Sequence, residues 1–211
     1  MQDYGNGDVM IVLGLTGSIG MGKSTTADMF RTRNVAVYDA DTAVHQLYEK
    51  DGAAVGPLSE KFPSALKDGA IDRTVLRSLV VGKPDAMSEL EAIVHPLVGQ
   101  TQLAFRREAA AGSSPFVVLD IPLLFETGGD KRCDYVAVVS ASAETQRARV
   151  LSRGEMDEAG FEAILQKQMS DAQKRAKADF IISTAFGLAF TESHVEAIID
   201  LMTNLAGEKD D

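Results

Sequence analysis

The segment GSIGMGKS at residues 17–24 constrains this chain more than any other stretch, because it fits G-x-x-x-x-G-K-[ST] and follows directly on an apolar run. Chance supplies such a match in a chain of 211 residues roughly once in a hundred sequences. The run VMIVLGL at residues 9–15 reads as a strand buried on both faces, and a helix is expected over residues 24–33. Between a buried strand and a helix the pattern acquires a physical meaning. The glycines of this loop (Gly17, Gly20, Gly22) let backbone N–H groups curl inward, and the helix N-terminus offers partial positive charge to phosphate. Lys23 then reaches the β- and γ-phosphates of a nucleotide, and Ser24 offers its hydroxyl to Mg²⁺. An ordinary glycine-rich turn would join strand to helix equally well, but it gives no reason for Lys-Ser after the glycines.

The rest of the chain alternates in the same way on either side of a helical middle. Strands are expected at residues 35–38, 116–119, 135–139 and 180–182, and helices at 143–151, 161–177 and 191–205. Residues 42–112 contain no convincing strand; helical patterns there break at Gly56-Pro57, Pro63, Lys67-Asp68-Gly69 and Gly82-Lys83-Pro84, and a long helix over about 87–111 carries Pro96. Five strands separated by helices predict an α/β fold, a doubly wound five-stranded parallel sheet with its ligand at the carboxyl ends of the strands.

Composition narrows the ligand class. The net charge is −10 and the pI about 4.8, so the field of the whole molecule repels polyanions, and neither nucleic acid nor a membrane surface is an expected partner. Any phosphate site must be local. Cys133 is the only cysteine, which excludes an internal disulfide framework and reads as a small buried hydrophobe; His45, His95 and His194 have no metal-ligand spacing. Residues 1–8 lack the basic flank and apolar run of a secretory signal, and no stretch approaches the roughly 18 apolar residues of a membrane span. The expectation is a soluble, cytoplasmic protein whose oligomeric state is open.

Several charged residues are candidates for the chemistry around the phosphates. Asp39 and Asp41 follow the second strand, expected beside the loop; a carboxylate there can orient or deprotonate an acceptor hydroxyl, or cap the helix beginning near Thr42. Asp120 ends the apolar run FVVL and could hold Mg²⁺ through water. Arg147, Arg149 and Arg153, with Arg175 and Lys177 further on, offer cations for the transferring group, and Arg149 and Arg153 share a helix face. The alternative is a solvated basic face balanced by Glu144 and Glu155. Arg153-Gly154-Glu155 reads as a flexible break, suited to a lid that closes over the phosphates.

Taken in order, GLTGSIGMGKST at 14–25, DAD at 39–41, His95-Pro96, IPLLFE at 121–126 and Ala178-Asp179 resemble the dephospho-CoA kinase family over nearly the whole chain. The resemblance implies a P-loop kinase that phosphorylates the ribose 3′-hydroxyl of dephospho-CoA with ATP and Mg²⁺. It implies a core over about residues 9–41 and 113–205, a helical acceptor-binding region over about 42–112 and a lid over about 152–162. By position, Gly20, Met21, Gly22, Lys23, Ser24 and Thr25 bind the ATP phosphates and Thr16 lies at the loop's entrance. Asp41 activates the acceptor, Arg73 and His95 belong to acceptor-side elements, and Gln146, Arg149 and Arg153 fall among the lid's polar residues. The chain departs from the family pattern at Met21, where serine is usual, and at residues 183–187, where STAFG lacks the asparagine expected near adenine. Family members do not hold the position of Asp120 to aspartate. Two other readings share the loop: a kinase of another metabolite, such as a nucleoside monophosphate or shikimate, and a nucleotide-dependent switch. The second lacks an Asn-Lys-x-Asp pattern for guanine.

Overall fold

The computed structural model describes residues 10–112, 114–154 and 156–208; Val9, Glu155 and the polar residues 1–8 lie outside the described residues. In chain order the elements are β1 (Ile11–Thr16), α1 (Lys23–Thr32), β2 (Ala36–Asp39), α2 (Ala40–Tyr48), α3 (Val55–Lys61), β3 (Leu66–Lys67), β4 (Ala70–Ile71) and α4 (Arg73–Val80). Then follow α5 (Pro84–Ala111), β5 (Phe116–Asp120), β6 (Tyr135–Ser140), α6 (Ala143–Ser152), α7 (Glu158–Leu165), α8 (Asp171–Arg175), β7 (Phe180–Ser183) and α9 (Leu188–Gly207). The chain divides into two compact units, Met1–Tyr38 with Glu108–Asp211, and Asp39–Arg107.

The five expected strands form one sheet in the order β2-β5-β1-β6-β7, and the β1–β5, β1–β6 and β6–β7 pairs are parallel. All six residues of β1 are buried, as the unbroken apolar run requires of a central strand. Ile11, Leu13 and Leu15 share one core with Phe116, Val118, Ala137 and Val139, covered by Ala27 and Phe30 of α1 and Val195 and Met202 of α9. Val136 and Val138 point to the opposite face, against Leu124 and Phe125, and half-buried Cys133 packs there. Phe30 meets Phe116 edge to face at 6.4 Å, and each fully buried ring contributes about 1.5–3 kcal/mol.

An aspartate precedes both β6 and β7 and plays the same part in each. Asp134 donates its N–H to the Val12 carbonyl while its carboxylate accepts the Val12 N–H at 2.8 Å; Asp179 does the same with Val136, again at 2.8 Å to the N–H. This explains Asp179 of the Ala-Asp element, whose role is structural.

Three expectations are corrected. β5 lies between β2 and β1, so the strand beside β1 on that side of the sheet is β5 and not β2. The break at Lys67-Asp68-Gly69 is a hairpin: β3 and β4 pair antiparallel, with Asp68 at φ 52° and Gly69 at φ 83°. Asp-Gly is the usual turn of that kind, but strands of two residues are too short to show alternation. The single helix expected over 161–177 is two, because Ser170 starts α8 with a reciprocal capping box to Gln173.

The second unit has a core of its own, including Leu47, Leu58, Phe62, Ile71, Leu76, Val80 and Val94. Its long helix α5 keeps Pro96 inside it. Among the described residues no helix is long and apolar enough to cross a membrane.

Candidate active site

The glycine-rich loop leaves β1 and enters α1 at Gly22, whose φ of 95° is left-handed and costs a glycine nothing. No side chain caps α1, so the N–H groups of Lys23, Ser24 and Thr25 have no intrahelical acceptor and open to an anion. Ser24 and Thr25 are exposed. Gly20, at φ 77°, runs so close to α6 that a Cβ would come within 2.6 Å of Val150. Met21 is different: its N–H is donated to the Ser18 carbonyl, its side chain is buried and its sulfur accepts the Ala141 N–H. It anchors the loop from beneath, which corrects its expected place among the N–H donors. Gly17 is likewise buried against Val139.

Lys23 ion-pairs with Asp120 at 2.5 Å, with side-chain exposures of 15% and 5%. The register that sets β5 beside β1 brings the two together. Asp120 therefore fits the part of a counter-ion that aims the lysine. Among the described residues no cluster of three or more His, Cys, Asp or Glu side chains could hold a metal ion. Thr16, expected at the loop's entrance, is fully buried and donates its hydroxyl to the Pro122 carbonyl at 2.9 Å. It ties β1 to the segment after β5 and does not reach the open side of the loop.

Of the side chains that hold the loop, sequence reasoning named Gln146 and Glu126 and missed Gln168 and Lys174. Both backbone groups of Ile19 are taken by glutamines: its N–H is donated to Gln168 Oε1 at 3.2 Å, and its carbonyl accepts from Gln146 Nε2 at 2.8 Å. The neighbour of Gln168, Met169, donates its N–H to Glu126 Oε1, and Glu126 is ion-paired at 2.9 Å with Lys174, which is wholly buried. Lys174 also donates to the Pro122 carbonyl, the acceptor of Thr16. Burial alone would raise the Glu126 pKa; the Lys174 hydrogen bond, the backbone donors and the lysine charge outweigh it and hold the carboxyl below its ordinary value. Glu126 of IPLLFE thus has a role, and the missed Lys174 could have been sought as the cation such a glutamate needs.

Arg149 forks onto Thr184, Nη1 to the hydroxyl at 2.8 Å and Nη2 to the carbonyl at 2.7 Å, and the Thr184 hydroxyl donates to the Met21 carbonyl at 2.7 Å. The position lacking an asparagine therefore links an arginine to the loop. Gly20, Gly22, Thr25, Arg149 and Arg153 help line a cavity of about 350 Å³, so the structure brings these expected residues together. Arg147 turns away to Glu158.

In the helical unit, Asp39 is the cap of α2, accepting the Thr42 N–H at 2.9 Å, which leaves Asp41 exposed in the first turn with no such duty. Arg73 begins α4 and lines a cavity of about 540 Å³ with Tyr48 and Arg77. Burial raises the Tyr48 pKa, and the charge of Arg73 opposes it. His95 is exposed on α5 ahead of Pro96.

A parallel sheet whose central strand feeds a glycine-rich loop, a lysine held by a buried aspartate and an uncapped helix start define a P-loop kinase. Within that class the chain belongs to the dephospho-CoA kinase family, whose model (CoaE) matches residues 11–189. It is 53% identical over 190 residues to the dephospho-CoA kinase of Bradyrhizobium diazoefficiens, covering 90% of this chain and 94% of that one. It is also 53% identical over 172 residues to that of Jannaschia sp., covering 82% and 87%. A crystal structure of a Thermus thermophilus protein superposes with a TM-score of 0.80 at 32% identity, covering 91% and 97%. Dephospho-CoA kinase from Campylobacter jejuni, at 22% identity and a TM-score of 0.62 over 92% and 97%, shares the fold. The protein is accordingly an enzyme, a kinase of a small-molecule acceptor.

Proposed function

We propose that the chain transfers the γ-phosphoryl group of ATP to the ribose 3′-hydroxyl of dephospho-CoA, giving coenzyme A and ADP, in the cytoplasm and with Mg²⁺. The observation that carries the proposal is Lys23, held by Asp120 at the mouth of an uncapped helix, in a chain of this family. The N–H groups of Gly22, Lys23, Ser24 and Thr25 cradle the polyphosphate, and the Lys23 ammonium moves from Asp120 to the oxygens on which charge develops. The exposed Ser24 hydroxyl fits Mg²⁺, which is usually held by one or two protein oxygens together with substrate phosphates and neutralises their charge when bound. Arg149 and Arg153 face the same phosphates, with residues 152–162 as the lid over them.

On the acceptor side Asp41 takes the 3′-hydroxyl proton as that oxygen forms its bond to the γ-phosphorus. The bond to the β–γ bridging oxygen breaks and its electron pair leaves with ADP. Support for Asp41 over Asp39 is that Asp39 is committed to capping while Asp41 is not. Arg73 and His95 serve acceptor binding. The net charge of −10 argues against nucleic-acid or membrane partners. The test is turnover of a panel of acceptors with ATP and Mg²⁺: dephospho-CoA should be phosphorylated preferentially at its 3′-hydroxyl, and preference for adenylate or shikimate would overturn the reading.

A further inference from the structure

Inside the glycine-rich loop, residues Ser18–Met21 close a tight turn, with the Met21 N–H donated to the Ser18 carbonyl at 3.1 Å. Gly20 stands at φ 77°, whereas Ile19 keeps the negative φ of ordinary residues. That pair of signs defines a type II turn, whose central peptide, joining Ile19 to Gly20, is turned over relative to the commoner type I. A trans peptide points its carbonyl and its N–H in opposite directions. With the Ile19 carbonyl on Gln146 of α6, the Gly20 N–H points away from that glutamine, and it has no partner among the described residues. In the other orientation a carbonyl oxygen would stand in place of that N–H, and its partial negative charge repels phosphate.

The bond from Met21 to Ser18 closes either type of turn, so it does not choose between them. Side chains make the choice. A backbone carbonyl only accepts and a backbone N–H only donates, so the two glutamines on Ile19 serve it with opposite ends of their amides: Gln146 through Nε2, Gln168 through Oε1. Both arms are themselves held. Gln146 is 5% exposed, and Gly20 lies so close on its turn of α6 that a Cβ would come within 3.0 Å of the Gln146 carbonyl. Gln168 donates its own N–H to the Leu165 carbonyl at 3.2 Å, and the N–H of the next residue, Met169, is taken by Glu126 at 2.8 Å.

We propose that Gln146 and Gln168 are positioning residues for phosphoryl transfer. They lock the peptide between Ile19 and Gly20 so that Gly20, on the wall of the 350 Å³ cavity, presents an N–H and not a carbonyl to the phosphates of the nucleotide. The inference rests on the reading of this loop as an ATP site and is independent of which acceptor is used.

The test is titration of the full chain with ATP and Mg²⁺, without acceptor, in Gln146→Glu, Gln168→Glu and Gln168→Leu, with an unfolding midpoint for each. The two glutamate variants add the same charge near the loop, so the difference between them reads the hydrogen bonds. Gln146→Glu removes the donor and sets a carboxylate against the Ile19 carbonyl; ATP affinity should fall by about thirty- to a hundredfold. Gln168→Glu keeps an acceptor for the Ile19 N–H and should bind ATP at least about ten times more tightly than Gln146→Glu. Gln168→Leu loses the acceptor and should weaken ATP by about tenfold. Equal losses in the two glutamate variants would overturn the lock. So would a Gln168→Leu protein with a lowered unfolding midpoint and wild-type ATP affinity, the signature of a purely structural role; this variant decides the matter if Gln146→Glu does not fold. If the wild type binds ATP without phosphorylating dephospho-CoA, the acceptor reading falls and the lock is still judged by the order of affinities. If the wild type does not bind ATP, both fall.

Discussion

In the sheet-bearing unit three of the cations around the glycine-rich loop are already engaged: Lys23 with Asp120, Arg149 with Thr184, and Lys174 with Glu126. In the helical unit Asp41, Arg73, Arg77 and His95 are exposed, and none has an ion pair or side-chain hydrogen bond among the described residues. The contrast separates two ways of binding charge. A side chain held by a partner has already lost its rotamer freedom, so a polyphosphate meets a prearranged field. An exposed arginine loses up to about 2 kcal/mol of that freedom when it orders on a ligand, and its contribution is correspondingly selective. Substitutions in the first unit should therefore damage turnover and stability together. In the second they should change kinetic constants and leave stability intact.

The largest expected effect tests the engaged side. Lys23→Ala should lower kcat by about a thousandfold, or about 4 kcal/mol, because the developing charge loses its main side-chain cation. Near wild-type turnover would break the comparison at its strongest point. Glu126→Gln comes next and is read by denaturant unfolding. It leaves the buried Lys174 charge uncompensated and should cost about 3 kcal/mol.

The same variant has a pH signature. Because the folded pKa of Glu126 is lowered, its contribution is fully present above the ordinary value of 4.5 and is lost as pH falls through the folded value. Glu126→Gln should accordingly lose stability less steeply than the wild type below that pH. Asp41→Asn tests the exposed side: kcat should fall by about a hundredfold, or about 2.7 kcal/mol, with ATP affinity and unfolding midpoint unchanged. A collapse of ATP affinity with kcat intact would reverse its assignment.

The unequal legibility of the two units has a physical origin. β1 and the loop could be read because a strand buried on both faces is apolar without interruption, and a phosphate loop needs glycines at set places. The hairpin at Leu66–Ile71 carried its turn signal in Asp68-Gly69, but two-residue strands leave no alternation to read. The split between α7 and α8 carried a local signal in Ser170 and Gln173, the capping box that starts α8, but the distant contact beside it, Glu126 taking the Met169 N–H, left none. The same limit hid Gln168 and Lys174, whose partners lie 149 and 48 residues away. Thr16 and Met21 belonged to the right motif, but position in a motif does not tell a residue that faces the ligand from one that supports the loop from below.

Asp134 and Asp179 act as a length standard for the whole sheet. Each locks the phase in which a strand begins, and a slip of one residue would turn Val136 and Val138 to the face now occupied by Ala137 and Val139. With the starting points fixed, Ser140 and Ser183 finish level, and Thr184 leaves the sheet with its N–H on the Ser140 carbonyl at 3.0 Å. The reach from Thr184 to Met21, and with it the position of Arg149, is thus measured out from two carboxylates at the opposite rim, remote from every phosphate.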